Sequence, residues 1–337
     1  MAQRNNYFAL TKAQQQLVLE QASIKLGLPK QAVEKDLWVS AILQLTFTLP
    51  YAPSLVFKGG TSLSKVHHII NRFSEDIDLA IDRAMFNLAG DLTKKQVKKL
   101  RKASSVFVRD ELLGQLKDAV EHSPLNSLCR IEVQPDGEGD STYPEPRSIF
   151  IYYTSVFDDK LAYIDPIVKV EAGARSLLEP TKDAVIHSLV EDALPTISTT
   201  VVEVQVRTAL AEKSFLEKAF LLHELFSVSN DVPAKRRSRH MYDLYMMMQK
   251  GIDEKAVTND ELWNTIHHHR STLTSMHGVD YTPDIRERIQ IVPPEQSMDS
   301  WKADYEEMVG AMIYNNPPSF DAIISSIKKL EDEFRKR

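Results

Sequence analysis

A short apolar strand, Ser54-Leu-Val-Phe-Lys58, runs into Gly59-Gly60 and then a helical spacing of Leu63, Val66 and Ile70, before the chain turns apolar again at residues 77–81. This order constrains the fold more than any other feature of the 337 residues. Paired glycines permit a tight turn between strand and helix, Thr61 is placed to cap the helix, and strand, turn, helix and strand together make a small α/β unit. Asp76 and Asp78 stand two apart on the second strand, so both side chains leave one face while Ile77 and Leu79 leave the other. Two carboxylates on one face repel unless a cation lies between them, and hard divalent cations prefer oxygen ligands. The glycine turn lets backbone N–H groups approach a phosphate at a helix start. Singly, an Asp-x-Asp pair is common surface charge and a Gly-Gly pair a common turn. Together, at this spacing, they predict phosphoryl or nucleotidyl transfer assisted by Mg²⁺ or Mn²⁺.

The rest of the chain frames that unit. Leu17, Val18, Ala22 and Leu26, then Val33, Leu37, Ala41 and Leu45, recur near the helical period on either side of Pro29. Residues 93–122 read as helical, and Lys94–Lys102 holds six basic residues in nine, a solvated face or a nucleic-acid contact. Strands are expected at about residues 128–133, 148–154 and 167–171, with 135–146 as a loop or hairpin end, and one more at 199–206. From residue 208 onward the pattern is helical, including 261–276 and 319–334. The sequence therefore predicts two parts, residues 1–200 and 201–337, dividing near 191–208.

Composition narrows the setting. With 41 Lys and Arg against 47 Asp and Glu the formal charge is −6, which excludes a uniformly basic nucleic-acid coat but leaves local basic patches. The one cysteine, Cys129, cannot form an intramolecular disulfide and sits in an apolar strand context. The first residues lack the apolar core of a signal peptide, and no stretch approaches the roughly 20 apolar residues that span a bilayer. A cytoplasmic protein without membrane association is expected. Adjacent histidines at 67–68 and 267–269 do not present the i, i+4 pair of a zinc helix, and His223-Glu224 lacks the second histidine of a zinc-protease motif.

Lys58-Gly-Gly-Thr-Ser-Leu-Ser64 and Arg72-Phe-Ser-Glu-Asp-Ile-Asp-Leu79 closely resemble the nucleotidyltransferase motif of the AbiEii/AbiGii toxin family, a branch of the DNA polymerase β-like nucleotidyltransferase superfamily. The resemblance extends to Glu34-Lys-Asp-Leu-Trp38, Val168-Lys-Val-Glu171, Glu212-Lys213 and Arg239-His-Met-Tyr-Asp-Leu244, roughly residues 30 to 250. It departs at His240-Met241, where the family commonly has an Arg-Asp or Lys-Asp step, so the roles of Arg239 and His240 stay open.

What the resemblance implies is concrete. The fold class would be α/β (α+β): a nucleotidyltransferase-like mixed sheet with helices, plus a C-terminal helical lobe completing the active site. Lys58, Gly59, Gly60, Thr61, Ser62, Lys213 and Arg239 would bind an NTP, and Asp76, Asp78 and Glu171 would hold the metal. Glu171 or Asp165 would supply the third acid, as base or metal ligand. Lys213 and Asp243 would join Asp76, Asp78 and Glu171 as catalytic residues, with Asp243 orienting Arg239 or binding Lys213. The implied setting is the toxin of a bacterial toxin–antitoxin or phage-defence pair, moving NMP to an acceptor such as the tRNA 3′ end, with a cognate antitoxin as partner. Basic residues 94–102 and 235–239 would hold the RNA backbone. Other readings are a phosphotransferase, a protein- or self-modifying enzyme acting at Ser62, Ser64 or Ser74, and a nucleotide- or partner-binding module without turnover.

Overall fold

A computed structural model of the protein describes residues 4–159, 164–229 and 231–337. The chain divides into two compact units, one made of Met1–Val66 and Phe73–Ala209, the other of His67–Arg72 and Leu210–Arg337. Their secondary structure makes a mixed α/β fold with a central sheet, flanking helices and a C-terminal helical region.

Among the described residues the first unit carries nine strands: β1 (Asn5–Asn6), β2 (Leu55–Lys58), β3 (Asp76–Ile81), β4 (Cys129–Val133), β5 (Arg147–Tyr153), β6 (Ile167–Gly173), β7 (Thr181–Ala184), β8 (Ile197–Ser198) and β9 (Val206–Ala209). Seven form one sheet in the order β4-β5-β6-β3-β2-β9-β7, while β1 and β8 make a small parallel pair. In the large sheet β3–β6 and β2–β9 are parallel and the other pairs antiparallel. The helices are α1 (Lys12–Leu26), α2 (Lys30–Thr46), α3 (Gly59–Lys65), α4 (Lys94–Phe107), α5 (Leu113–Glu121) and α6 (Leu189–Ala193). Thr11 and Thr93 begin α1 and α4 with capping boxes to Gln14 and Gln96, and Gly27 ends α1 in the left-handed conformation.

Helix α2 is buried along residues 32–46. Its Trp38 stacks on Tyr153 of β5, with ring centroids 4.9 Å apart. That places α2 on the sheet face built from Ile77, Val170 and Ile149, which are aligned across β3, β6 and β5. Three charged residues of α2 are buried as well, and each has a partner. Glu34 accepts hydrogen bonds from Ser155 Oγ and Val156 N–H, Lys35 pairs with Glu75 at 2.6 Å, and Asp36 pairs with Lys65 at 2.7 Å.

Several local expectations change. Helix α3 starts at Gly59 with Lys58 as its N-cap, so Thr61 lies inside the helix rather than capping it. The helix stops near Lys65, well before Ile70, because His68 turns to a positive φ of 52° and residues 67–72 join the second unit. Residues 199–205 are not a strand. Pairing is confined to β8 before them and β9 after them, since period-two apolarity alone does not supply a neighbour. The helical span 93–122 is interrupted by a π-helical turn at Val108–Leu112.

The second unit is helical: α7 (Ala211–Val228), α8 (Arg239–Met248), α9 (Ile252–Thr258), α10 (Asp260–Leu273), α11 (Met298–Ala311) and α12 (Phe320–Arg335). Its core is aromatic. Trp263 lies between Phe220 and Phe334, with centroids 4.6 and 5.3 Å away, and the buried Trp301 meets Phe226 edge-on at 4.9 Å. Residues 67–72 are stitched in by the Tyr242 hydroxyl on Asn71 N–H (3.2 Å), by Tyr314 N–H on Asn71 C=O (3.0 Å) and by a bridge between Arg72 and Ile313. Among the described residues, no helix is long and apolar enough to cross a membrane.

Candidate active site

Strand register assembles the acidic site. Asp76 and Asp78 project from the face of β3 opposite Ile77 and Leu79, and the parallel pairing with β6 sets Asp76 beside Lys169 and Asp78 beside Glu171. On the other side, Lys58 at the end of β2 is aligned with Asp78. Lys58, Asp78 and Glu171 thus form one cross-strand row. The alternation along residues 167–171 put Glu171 on a polar face, but only the β3–β6 register makes it the neighbour of Asp78. Asp165, the competing acid, lies exposed before β6 begins.

The glycine turn is shaped around Asp78. Gly59 has a φ of +79°, and a Cβ there would stand 2.0 Å from Asp78 Oδ2. Glycine is therefore required twice, by backbone conformation and by the carboxylate lying against it. Thr61 and Ser62 are buried, and both hydroxyls donate to nearby backbone: Thr61 Oγ1 to Asp76 C=O, beside Ser74 Oγ at 2.9 Å, and Ser62 Oγ to Gly59 C=O at 2.8 Å. These bonds tie the turn to the start of β3. From α2, the Lys35–Glu75 pair anchors the residue preceding Asp76, and Asp36 holds Lys65 at the end of α3. Lys35 and Asp36 thereby pin the start of the acid-bearing strand and the helix that follows the glycine turn.

Electrostatics mark this cluster as unsatisfied. Burial, followed by repulsion from Glu75 and Asp78, pushes the Asp76 carboxyl up to about 6. Lys169 partly offsets this and ion-pairs with Glu171 at 2.7 Å. Burial lowers the Lys169 ammonium, yet its hydrogen bond and attraction to Glu171 leave it raised. The donor set fits a hard cation, since Asp76 and Asp78 are crowded oxygens whose mutual repulsion an ion would relieve. Among the described residues, however, no group of three or more His, Cys, Asp or Glu is placed to hold a metal ion. Asp76 and Asp78 are the fitting pair, and Glu171 has its ammonium partner instead.

The remaining expected site residues belong to the helical unit. Asp243 of α8 is fully buried and gripped by two cations: Arg72 through Nε (2.7 Å) and Nη2 (2.9 Å), and Lys218 at 2.9 Å. The sequence reading did not pair either cation with it. Lys218 lies one turn and a half beyond Lys213 on α7, while Arg72 is remote in sequence. Burial alone would raise the Asp243 carboxyl, but Arg72 and Lys218 hold it well below the usual carboxylate range. Lys213 is wholly buried, which excludes a solvent-facing surface role, and Glu217 lies 3.7 Å away. Arg239 opens α8 half-exposed, and His240 is kept neutral by burial and by the charges of Lys218 and Arg239. Burial also pushes the Cys129 thiol up to about 11, away from nucleophilic character.

A mixed sheet with paired acids on one strand, facing a glycine turn that opens a helix, defines a nucleotidyltransferase-like protein. The chain belongs to the AbiEii family: the family described as "Nucleotidyl transferase AbiEii toxin, Type IV TA system" matches residues 42–326. It is similar in fold to MenT4, a nucleotidyltransferase toxin from Mycobacterium tuberculosis H37Rv, with 16% identity, a TM-score of 0.53, and 98% of this chain and 91% of that chain covered. Comparison with curated proteins gives no match. Family membership places the chain among nucleotidyltransferase toxins of toxin–antitoxin systems.

Proposed function

We propose that the protein transfers a nucleoside monophosphate from an NTP to an acceptor hydroxyl, with the tRNA 3′ end as the acceptor, and acts as the toxin of a pair whose antitoxin restrains it. The observation carrying this reading is the acidic row: Asp76 and Asp78 together on β3, Glu171 aligned with Asp78, and Gly59 without a side chain beneath that carboxylate. Asp76 and Asp78 would hold Mg²⁺ or Mn²⁺, which when bound neutralises charge on the phosphates. The backbone at Gly59-Gly60 leaves room for the phosphates, and Lys58, in the same row, supplies positive charge. The acceptor oxygen bonds to the α-phosphorus, the bond from that phosphorus to the α–β bridging oxygen breaks, and pyrophosphate departs. Glu171 takes the proton of the attacking hydroxyl. By the family motif Lys213 and Arg239 would bind the nucleotide and Lys213 and Asp243 would be catalytic, and their substitution tests that part separately.

The decisive experiment incubates the protein with each α-³²P-labelled NTP, Mg²⁺ and total bacterial RNA, beside Asp76→Ala and Asp78→Ala variants. Label in tRNA-sized RNA that disappears in both variants is the expected result, and it names the nucleotide. Label on protein redirects the acceptor. Transfer only from γ-labelled ATP makes the enzyme a phosphotransferase, and no transfer from either label overturns catalysis.

A further inference from the structure

The face of the sheet that bears the acids continues past them. Cross-strand pairing sets Asp76 beside Lys169, Lys169 beside Phe150 of β5, and Phe150 beside Glu132 of β4. Two residues along β5, Tyr152 projects from the same face and is paired with Arg130. The burial of β5 alternates accordingly, with Ile149, Ile151 and Tyr153 buried and Phe150 and Tyr152 half-exposed. Their rings are neighbours, centroids 6.3 Å apart and planes tilted by 40°. The Arg130 guanidinium lies 4.2 Å over the Tyr152 ring, and its side chain is 61% exposed. Half-exposed aromatics are poorly explained as core, because the packed core lies on the opposite face of the same strands.

We propose that Phe150, Tyr152 and Arg130 form a stacking platform for the unpaired bases at the 3′ end of an RNA acceptor. This inference rests on the transferase reading above and adds the side from which the acceptor enters. Sheet order decides that side. The glycine turn assigned to the triphosphate follows β2, on one flank of β3, whereas β6 and β5 lie on the other flank. In-line transfer needs the attacking and leaving oxygens on opposite sides of the phosphorus. Pyrophosphate leaving on the β2 side therefore puts the acceptor on the β5 side. Strand spacing sets Phe150 about 10 Å from the β3 acids, two strand separations away, so a terminal nucleotide can rest its base on the ring and reach the acids with its hydroxyl. Single-stranded ends suit such a surface, since unstacked bases bind aromatic faces and guanidinium planes with little regard for sequence. Lys169 and Arg130 are ion-paired with Glu171 and Glu132, so base stacking rather than phosphate attraction carries the binding.

The test titrates the full chain, without NTP, into a 5′-fluorescein-labelled RNA with a single-stranded 3′ end, following anisotropy. Phe150→Ala with Tyr152→Ala should weaken binding on the order of tenfold or more, from the loss of base stacking, while Tyr152→Phe binds like the unaltered protein. A blunt duplex should bind weakly to all three. In transfer assays the double variant should raise the acceptor KM and leave the NTP KM unchanged. Thermal melting and circular dichroism of each variant separate lost binding from lost folding, and Tyr152→Ala alone provides a milder change at a half-exposed position. Equal RNA binding by folded unaltered and double-variant protein overturns the platform, as does a raised NTP KM with an unchanged acceptor KM. Asp76-dependent labelling of protein, with no RNA binding, overturns the platform and leaves the transferase standing. RNA binding that needs both rings, without transfer of any nucleotide, supports the platform and removes the transferase reading.

Discussion

The sheet unit and the helical unit each bury an aspartate among charged neighbours, with opposite balance. Around Asp76 stand Glu75, Asp78 and Glu171, with Lys169 as the offsetting cation, and its carboxyl is raised to about 6. Asp243 is paired with both Arg72 and Lys218, and its carboxyl is depressed. The same side chain is thus destabilised as an anion in one place and stabilised in the other. Burial raises both, so the sign is decided by the neighbours. Crowded acids are suited to receive a cation or phosphate chemistry. A doubly paired acid holds residues 67–72 against α7 and α8 within the helical unit.

Three changes would break or sharpen this contrast. The largest effect is expected from Asp76→Asn with Asp78→Asn: transfer should fall on the order of a thousandfold while the melting temperature holds or rises, because like-charge repulsion is removed. A fall in melting temperature would make the acids structural. Asp243→Asn should instead destabilise the fold by about 3–5 kcal/mol, measured by urea unfolding, because the buried Arg72 and Lys218 lose the carboxylate they share. The native carboxyl being depressed, this stability is present above the unfolded-state value of about 3.9 and is lost below it. The gap between the two proteins should therefore narrow on acidification through that value.

The smallest effect concerns His223 of α7, whose Nδ1 accepts a hydrogen bond from Gln290 N–H at 3.0 Å. Burial, with Arg288 and Arg335 nearby, pushes its imidazole down to about 4. The unfolded chain binds this proton at about 6.5, so stability contributed by neutral His223 is complete above that pH and declines toward pH 4. A loss of about 2–3 kcal/mol across that window is expected. His223→Gln should flatten the slope in pH-dependent unfolding, and an unchanged slope would assign the acid sensitivity elsewhere.

Much of the acidic site was legible because its signals are local. Gly59-Gly60, the Asp76-x-Asp78 spacing and the alternation through Glu171 follow from backbone permissiveness and the two-residue period of a strand. What those residues touch was hidden. Glu34, Lys35 and Asp36 fall in a helix by period, but nothing local shows that all three are buried, with Lys35 on Glu75 and Asp36 on Lys65. Likewise Phe150 and Tyr152 look like any strand aromatics until β5 is known to pair with β6, and β6 with β3.

The sequence by itself determined the strand, glycine turn, helix and strand around the acids, and which side chains share a strand face there, because these depend on neighbours a few residues apart. Only the tertiary structure decided that β6, nearly a hundred residues on, lies parallel to β3 with Glu171 against Asp78, and that Arg72 and Lys218 meet on Asp243. Such pairings depend on long loop closures and on burial gained over the whole fold, and no local period encodes them.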